Sequence, residues 1–322
     1  GKAFANPLGL AAGADKNARL IGFWESVGFG FVEVGSVTAQ ASDGNPQPRA
    51  FRVRDDDALI NRMGLNNDGA AAVAKRLATN QSDRSRPLGI NIAKTHSPDI
   101  MGEAAIEDFR ESFRLLAPAA EYIALNVSCP NTREGKTFEA PDALDQLLSV
   151  IMEEREAPER RLPVLIKLSP PDSARVVFDS ELEEVIAIAV DHEVDGFIAT
   201  NTASDRSGLS ADDADLERIG PGGLSGAPLH ARSTQMVRYL YRATDGEIPI
   251  IGVGGICDAD TAYDTICAGA SLIQLYTALV YEGPGLVKRI KQGLIERIKR
   301  DGYASIGEAI GTRSEMGESV AA

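Results

Sequence analysis

Short apolar runs alternate with longer amphipathic segments along almost all of the 322 residues. This alternation is typical of parallel strands that are joined by helices. We predict eight strands, at residues 8–12, 31–35, 88–92, 122–127, 164–168, 196–200, 248–253 and 271–276. Helical spacing predicts helices after most of them, at residues 106–117, 143–156, 179–190, 230–241 and 286–299. Eight strand–helix units predict an α/β fold, a (β/α)8 TIM barrel, as a single domain over residues 1–322.

An open, doubly wound sheet is the competing architecture. It requires a glycine fingerprint after the first strand, and the segment Ala11-Ala12-Gly13-Ala14-Asp15 does not fit that pattern. Three less regular segments, at residues 38–68, 131–142 and 202–229, are predicted to be long loops that follow strands. In a barrel such loops lie on the functional face.

Charge and composition exclude several functions. The net charge of −14 argues against nucleic acid and against electrostatic docking on anionic lipid. The three cysteines form no CxxC pair and the three histidines are scattered, so we predict no metal site. The cysteine usage favours a reducing, cytoplasmic compartment.

The amino terminus limits what can be predicted about membranes. No apolar run reaches the roughly 18 residues of a spanning helix, and no signal layout is present. The chain begins at Gly1 rather than Met and enters a strand almost at once. We therefore expect that an upstream segment precedes it, and that any contact with the inner membrane face is made by that segment.

Polar residues end most of the predicted strands. Because the carboxyl ends of barrel strands share one mouth, these side chains should converge. A buried ring of amides and cations is costly without partners, which predicts a polar ligand. In chain order the strand ends are Asp15 and Lys16, Gly35 and Ser36, Asn91, Asn126, Lys167, Thr200 to Thr202, Gly252 to Gly255, and Tyr276 and Thr277.

The last two strand ends predict a phosphate site. Glycine-rich turns followed by a helix are where barrels commonly bind phosphate, and the run 252–255 has that position. A cofactor held there would place its ring across the mouth, a geometry that fits flavin mononucleotide (FMN). Lys167 could then donate to the N1/O2 edge of the flavin and stabilise the reduced ring. A salt bridge at the barrel rim is the alternative role for this lysine.

One further segment, ALNVSCPNT (124–132), places a thiol between two asparagines at the end of a strand. Pro130 prevents a simple continuation of that strand, so Cys129 should lie on a turn at the mouth. A small, inert buried thiol is the alternative.

Specific motifs extend over nearly the whole chain. They are NPLGLAAG (6–13), GFVEVGSVT (30–38), INRMGLN (60–66), ATNT (199–202), GGLSG (222–226), PIIGVGGI (249–256) and QLYT (274–277). In these motifs the chain resembles dihydroorotate dehydrogenases, the flavoenzymes of pyrimidine biosynthesis, and its body is similar to the quinone-linked class 2. The resemblance implies oxidation of (S)-dihydroorotate to orotate, with FMN as cofactor and quinone as the favoured acceptor.

The resemblance also implies which residues bind each ligand. The FMN contacts fall on Ala11, Ala12, Gly13, Ala14, Asp15, Ser36, Asn91, Asn126, Lys167, Thr200, Gly226, Gly254, Gly255, Tyr276 and Thr277. The substrate contacts fall on Lys16, Asn61, Arg62, Met63, Gly64, Leu65, Asn126, Asn131, Asn201 and Thr202. Lys16 suits the substrate carboxylate, and the asparagines suit its cyclic diamide edge.

Cys129 occupies the position of the catalytic base, which removes the C5 proton while the C6 hydride goes to flavin N5. Serine is usual there in class 2, whereas cysteine is found in the class 1 enzymes. The segment REGKTFE (133–139) also departs from the class 2 pattern. Fumarate therefore stays as an alternative acceptor.

Two other functions are alternatives. Another FMN barrel acting on uracil or an enone would more naturally offer a His or Tyr proton donor, and the three histidines lie outside the strand ends. A catalytically inactive barrel that binds a phosphorylated ligand or a protein partner is the second. Residues 131–140, which follow Cys129, are the predicted lid.

Overall fold

The computed structural model describes residues 3–79, 84–128, 137–156, 161–171 and 180–315. Within these ranges the strands are β1 (Leu8–Leu10), β2 (Phe31–Val37), β3 (Ala50–Val53), β4 (Ala58–Asn61), β5 (Leu88–Ile92), β6 (Tyr122–Asn126), β7 (Val164–Leu168), β8 (Gly196–Ala199), β9 (Gly223–Gly226), β10 (Ile250–Val253) and β11 (Leu272–Leu275). The α-helices there are α1 (Ile21–Val27), α2 (Ala70–Thr79), α3 (Glu103–Leu116), α4 (Pro141–Glu156), α5 (Ser180–Asp191), α6 (Asp213–Ile219), α7 (His230–Ala243), α8 (Ala259–Ala268), α9 (Thr277–Glu282) and α10 (Gly285–Arg300).

Eight parallel strands close into a barrel in the order β1-β11-β10-β8-β7-β6-β5-β2. The predicted (β/α)8 fold is confirmed, and each predicted strand differs from its barrel strand by at most two residues at either end. The largest difference at an amino end is in β10, which begins at Ile250 and not at residue 248. Pro249 has no N–H for the ladder, although its carbonyl accepts a hydrogen bond from Phe197 N at 3.0 Å.

The main core lies between the barrel wall and the helices. Helix α3 shows how the sequence builds it, because its buried side chains recur every three or four residues, at Ala105, Phe109, Phe113 and Leu116. Burial of each large apolar side chain contributes about 1.5–3 kcal/mol. This shell holds the strands in place, so the residues at their carboxyl ends are presented on a rigid frame.

Aromatic rings fill the inside of the barrel where glycines make room for them. A Cβ atom at Gly9 would overlap the ring of Phe31, and one at Gly89 would overlap the ring of Tyr122. Both rings are almost completely buried. Glycine at these two strand positions is therefore required by packing inside the barrel.

Replacement of Gly89 by alanine is expected to destabilise the fold by about 1–3 kcal/mol, the usual cost of overpacking a core. Urea denaturation followed by far-UV circular dichroism measures the change. Gly22 is the matched control, because it lies in helix α1 with no atom within 4 Å of an added Cβ. Gly22→Ala should leave stability unchanged or raise it by up to about 1 kcal/mol. Equal stability of the Gly89 variant and the wild type would contradict the packing argument.

Two of the segments that were predicted as irregular loops contain regular structure. Strands β3 and β4 come from the loop after β2, and β9 comes from the loop after β8. They form a three-stranded antiparallel sheet in the order β3-β4-β9. These strands are four residues each, too short for alternation to show in the sequence. In addition, β4 pairs with β9 across more than 160 residues, as Ala58 pairs with Gly226.

Candidate active site

A cavity of about 640 Å³ opens at the carboxyl ends of the barrel strands. It brings together most of the residues predicted to bind ligands. These cavity-lining residues are Ala11, Ala12, Gly13, Lys16, Ser36, Asn61, Met63, Gly64, Leu65, Asn126, Lys167, Thr200, Asn201, Thr202, Gly226, Gly254, Gly255, Tyr276 and Thr277. The convergence that the strand ends predicted is therefore present in the structure.

A chain of hydrogen-bonded amides forms one wall of the cavity. Ser36 Oγ donates to Asn91 Oδ1, and Asn126 Nδ2 donates to Ser36 Oγ at 2.9 Å. Asn201 Nδ2 in turn donates to Asn126 Oδ1 at 3.1 Å and to the carbonyl of Ser128 at 3.0 Å. Three barrel strands and the segment after β8 are thus connected at the mouth, which holds the amides of Asn126 and Asn201 in fixed orientations.

Lys167 lies beside this wall. It is the partner of Asn126 in the register of β6 and β7, and only 7% of it is exposed. Its carbonyl accepts a hydrogen bond from Ser128 Oγ at 2.8 Å. Lys16, at the end of β1, supplies a second cation to the cavity lining. The lining also contains four carboxylates and two arginines, so an anionic group of a ligand is favoured beside the two lysines and not throughout the cavity.

Gly226 ends β9, and Gly254 and Gly255 follow β10. These three positions, the glycine cradle, leave no room for a side chain. An added Cβ would overlap the backbone of Asp57 at Gly226, the side chain of Ser233 at Gly254, and the backbone of His230 at Gly255. All three glycines have positive φ, between +70° and +136°. Backbone can approach a ligand closely at such positions, as phosphate binding requires.

Helix α8 starts just beyond this cradle and fixes its outer edge. Asp258 accepts a hydrogen bond from Thr261 N at 2.8 Å, and Asp258 N donates to Thr261 Oγ1 at 3.1 Å. This capping box stabilises a helix start by about 1 kcal/mol. On the opposite side, Thr277 Oγ1 donates to Ser225 Oγ at 2.9 Å and joins β9 to the end of β11.

Two buried polar atoms of the cavity lining have no hydrogen-bond partner among the described residues. They are Thr202 Oγ1 and Gln274 Oε1. A buried polar atom without a partner costs about 1–3 kcal/mol. Their presence in one cavity, together with the glycine cradle, fits a site whose polar groups are completed by a bound ligand.

Some predicted ligand residues lie outside the cavity lining. Asn91 is completely buried beneath Ser36. The carboxylate of Asp15 accepts hydrogen bonds from the backbone N–H groups of Arg19 and Leu20, both at 2.8 Å, and so closes the turn after β1. Ala14 is half-buried against the main core.

Arg62 is placed away from the cavity as well. Its guanidinium donates to the carbonyls of Ile219 and Pro221 and stacks on Phe51, with 4.6 Å between Cζ and the ring centroid. These contacts tie the loop after β4 to the segment before β9. The predicted substrate contact of Arg62 stays a prediction. Cys129 and Asn131, and all but the last four residues of the predicted lid, lie outside the described residues.

Sequence reasoning missed a polar cluster below the cavity. Glu33 Oε2 accepts hydrogen bonds from Tyr122 Oη at 2.7 Å and Gln274 Nε2 at 2.8 Å, and Glu33 Oε1 accepts one from Asn91 Nδ2 at 3.2 Å. Burial and the neighbouring carboxylate raise the pKa of Tyr122 well above its ordinary value. A signal was present, because Glu33 and Gln274 are polar residues within otherwise apolar strands.

Neither a metal cluster nor a membrane-spanning helix is found in the part of the chain that the structure describes. No group of three or more His, Cys, Asp or Glu side chains there could hold a metal ion. None of the helices found in those ranges is long and apolar enough to cross a membrane.

Fold and cavity together define a (β/α)8-barrel protein whose mouth suits a polar, anionic ligand. The family model for dihydroorotate dehydrogenase matches residues 1–298. The chain belongs to the dihydroorotate dehydrogenase family, as its motifs predicted.

Individual relatives agree with this assignment. The chain is 44% identical to a protein of Nocardia farcinica named dihydroorotate dehydrogenase (quinone), over 97% of this chain and 82% of that protein. It is also 44% identical to a protein of the same name from Natronomonas pharaonis, over 97% of this chain and 83% of the relative. The crystal structure of the Eimeria tenella DHODH in complex with ferulenol matches with a TM-score of 0.88 at 34% identity, covering 96% of this chain and 85% of that one. The predicted resemblance to the quinone-linked class is confirmed.

Proposed function

We propose that this chain is an FMN-dependent dihydroorotate dehydrogenase, which oxidises (S)-dihydroorotate to orotate in pyrimidine biosynthesis and passes the electrons to quinone. The observation that carries the proposal is the shared cavity. A wall of hydrogen-bonded amides, two lysines and a glycine cradle without room for side chains all line this cavity. A planar anionic diamide and a phosphorylated cofactor are the ligands that such a cavity suits.

The residues present fit FMN. The glycine cradle, with Thr277 beside it, is the proposed site of its phosphate; the cradle consists of Gly226, Gly254 and Gly255. The proposed contacts of its ring are Lys167 and the other residues at the strand ends. FMN, when bound, supplies the hydride acceptor of the reaction. The buried ammonium of Lys167 would favour negative charge on the N1/O2 edge of the ring.

The proposed substrate-binding residues are one lysine and three asparagines. Lys16 would pair with the carboxylate of dihydroorotate, because it is the cation at the end of β1. The amides of Asn61, Asn126 and Asn201 would pair with the cyclic diamide. The hydrogen bonds within the wall already fix which atoms of Asn126 and Asn201 face each other, so the groups that remain for a ligand are set before binding.

Cys129 is the proposed base for the C5 proton. Support comes from its position in the sequence and from the residue before it, because Ser128 is completely buried and is held by Asn201 and by the carbonyl of Lys167. Ser128, the last described residue before the thiol, is therefore held between two proposed ligand residues, Asn201 and Lys167.

Quinone is the proposed acceptor because the named relatives are quinone-linked. This choice implies that the protein works where quinone is available, at a membrane surface. Fumarate is the alternative, and a single experiment separates the two.

Anaerobic mixing of the FMN-loaded protein with dihydroorotate tests the proposal. The absorbance band of oxidised flavin should bleach, and addition of a water-soluble quinone should restore it while fumarate should not. Dihydrouracil is the matched control, since it keeps the diamide but lacks the carboxylate that Lys16 would bind. Equal bleaching by both compounds would contradict the carboxylate assignment. Absence of bleaching by dihydroorotate would refute the proposed reaction.

A further inference from the structure

Glu33 is a carboxyl group enclosed in the barrel. It lies on β2 with none of its surface exposed. Its three hydrogen-bond partners are the neutral groups Tyr122 Oη, Gln274 Nε2 and Asn91 Nδ2. The packing of Tyr122 against Gly89, described above, helps to hold this cluster in place.

The groups around Glu33 are all able to donate to it. The amide nitrogens of Gln274 and Asn91 can only donate, and the hydroxyl of Tyr122 can donate as well, so all three can stabilise negative charge on the carboxyl oxygens. Burying such a charge is costly unless hydrogen bonds stabilise it, and three donors do so here. The barrel therefore encloses a carboxyl group whose neighbours can stabilise a negative charge and which the proposed binding and base chemistry does not use.

This charge lies one side chain away from the cavity. Gln274 lines the cavity and donates directly to Glu33. Ser36 also lines it and is connected to Glu33 through Asn91. Both links join the carboxyl group of Glu33 to residues of the cavity in which the flavin is proposed to bind. Glu33 itself is fully buried, and charges interact more strongly in a protein interior than in bulk water.

We propose that Glu33 is a positioning residue for the flavin reaction: its buried charge acts through Gln274 and Asn91, opposes negative charge on the reduced ring and lowers the midpoint potential of bound FMN. Lys167 acts in the opposite direction. A lower potential favours the transfer of electrons from the reduced flavin to an acceptor. The inference rests on the proposed function, because it requires that FMN occupies the cavity.

The test compares the midpoint potential of bound FMN in the wild type with three variants. Glu33→Gln keeps the shape of the side chain and removes its charge. The exchange variant Glu33→Gln/Gln274→Glu moves the charge to the other end of the same hydrogen bond. Tyr122→Phe is the control, because it removes a hydrogen bond to the same carboxylate and leaves the charge in place. Thermal unfolding of each variant records any loss of stability separately.

Glu33→Gln should raise the equilibrium constant for two-electron reduction about tenfold, which corresponds to a shift of about 30 mV to a more positive potential. The exchange variant should have the wild-type potential or a lower one, and Tyr122→Phe should keep the wild-type potential despite lower stability. An unchanged potential in Glu33→Gln, or the same positive shift in Tyr122→Phe, would show that Glu33 has only a structural role.

Two further outcomes are decisive. If Glu33→Gln does not fold or does not hold FMN, the exchange variant decides the question. A midpoint potential of its bound FMN at or below the wild-type value supports the proposal. A higher midpoint potential, or failure of the exchange variant to hold FMN, overturns it. A wild type that binds no FMN overturns the proposed function and this inference together. A wild type that is bleached by dihydroorotate, with an unchanged Glu33→Gln potential, overturns only the inference.

Discussion

Replacement of Lys167 by methionine is expected to slow flavin reduction by dihydroorotate about 10²–10³-fold, the usual loss when one preorganised donor to a developing negative charge is removed. Methionine has a similar length, so packing in β7 should be preserved. The ammonium is the group on β7 proposed to face the reduced ring, and the residue that carries it is only 7% exposed. Stopped-flow absorbance under anaerobic conditions gives the rate.

The matched control is Lys94→Met. Lys94 is also a buried lysine, 8% exposed, but its Nζ donates to the carbonyls of Ser97 and Ile100, at 3.1 and 2.9 Å, and it does not line the main cavity. This variant should reduce stability while the rate of flavin reduction stays within about twofold of the wild type. Similar losses of rate in both variants would mean that Lys167 acts through the fold and not on the flavin.

Replacement of Cys129 by alanine is expected to lower the rate of flavin reduction about 10²–10⁴-fold at neutral pH, the range for loss of a general base. Cys129→Ser should retain activity that rises only at higher pH, because a hydroxyl is far less acidic than a thiol, whose ordinary pKa is about 8.5. The rate of flavin bleaching as a function of pH measures both effects.

Cys267→Ala controls for thiol loss in general. Burial raises the pKa of Cys267, so this thiol stays protonated at neutral pH and cannot act as a base. Its alanine variant should therefore have the wild-type rate and pH profile. A Cys129→Ala protein with the wild-type rate would exclude this thiol as the base.

The barrel and much of the cavity could be predicted from the sequence because both follow from strand ends. Parallel strands send their carboxyl ends to one mouth, so Ser36, Asn126, Lys167 and Asn201 could be grouped without knowledge of their contacts. The placement of Arg62 could not be predicted in this way. It depends on carbonyls of the segment before β9, far along the chain.

The carboxylate inside the barrel was missed for a different reason. Periodicity assigns Glu33 to a strand but does not say that its neighbours in space are Tyr122 and Gln274, which come from β6 and β11. Such contacts depend on the closure of the barrel, in which β11 pairs with β1. A polar residue in an apolar strand is the sequence signal that indicates where to look.

The small antiparallel sheet has a consequence for protein engineering. Its middle strand, β4, pairs with β9, and the ladder extends from the pair Ala58–Gly226 to the pair Asn61–Gly223. One backbone ladder therefore carries both Asn61, a proposed substrate residue, and Gly226, a proposed phosphate residue. The two loops that contribute these strands are separate in the sequence but are joined in one hydrogen-bonded sheet. A loop graft that aims to change substrate choice would have to transplant residues 38–68 together with residues 202–229, because either segment alone would leave the other without its hydrogen-bond partner.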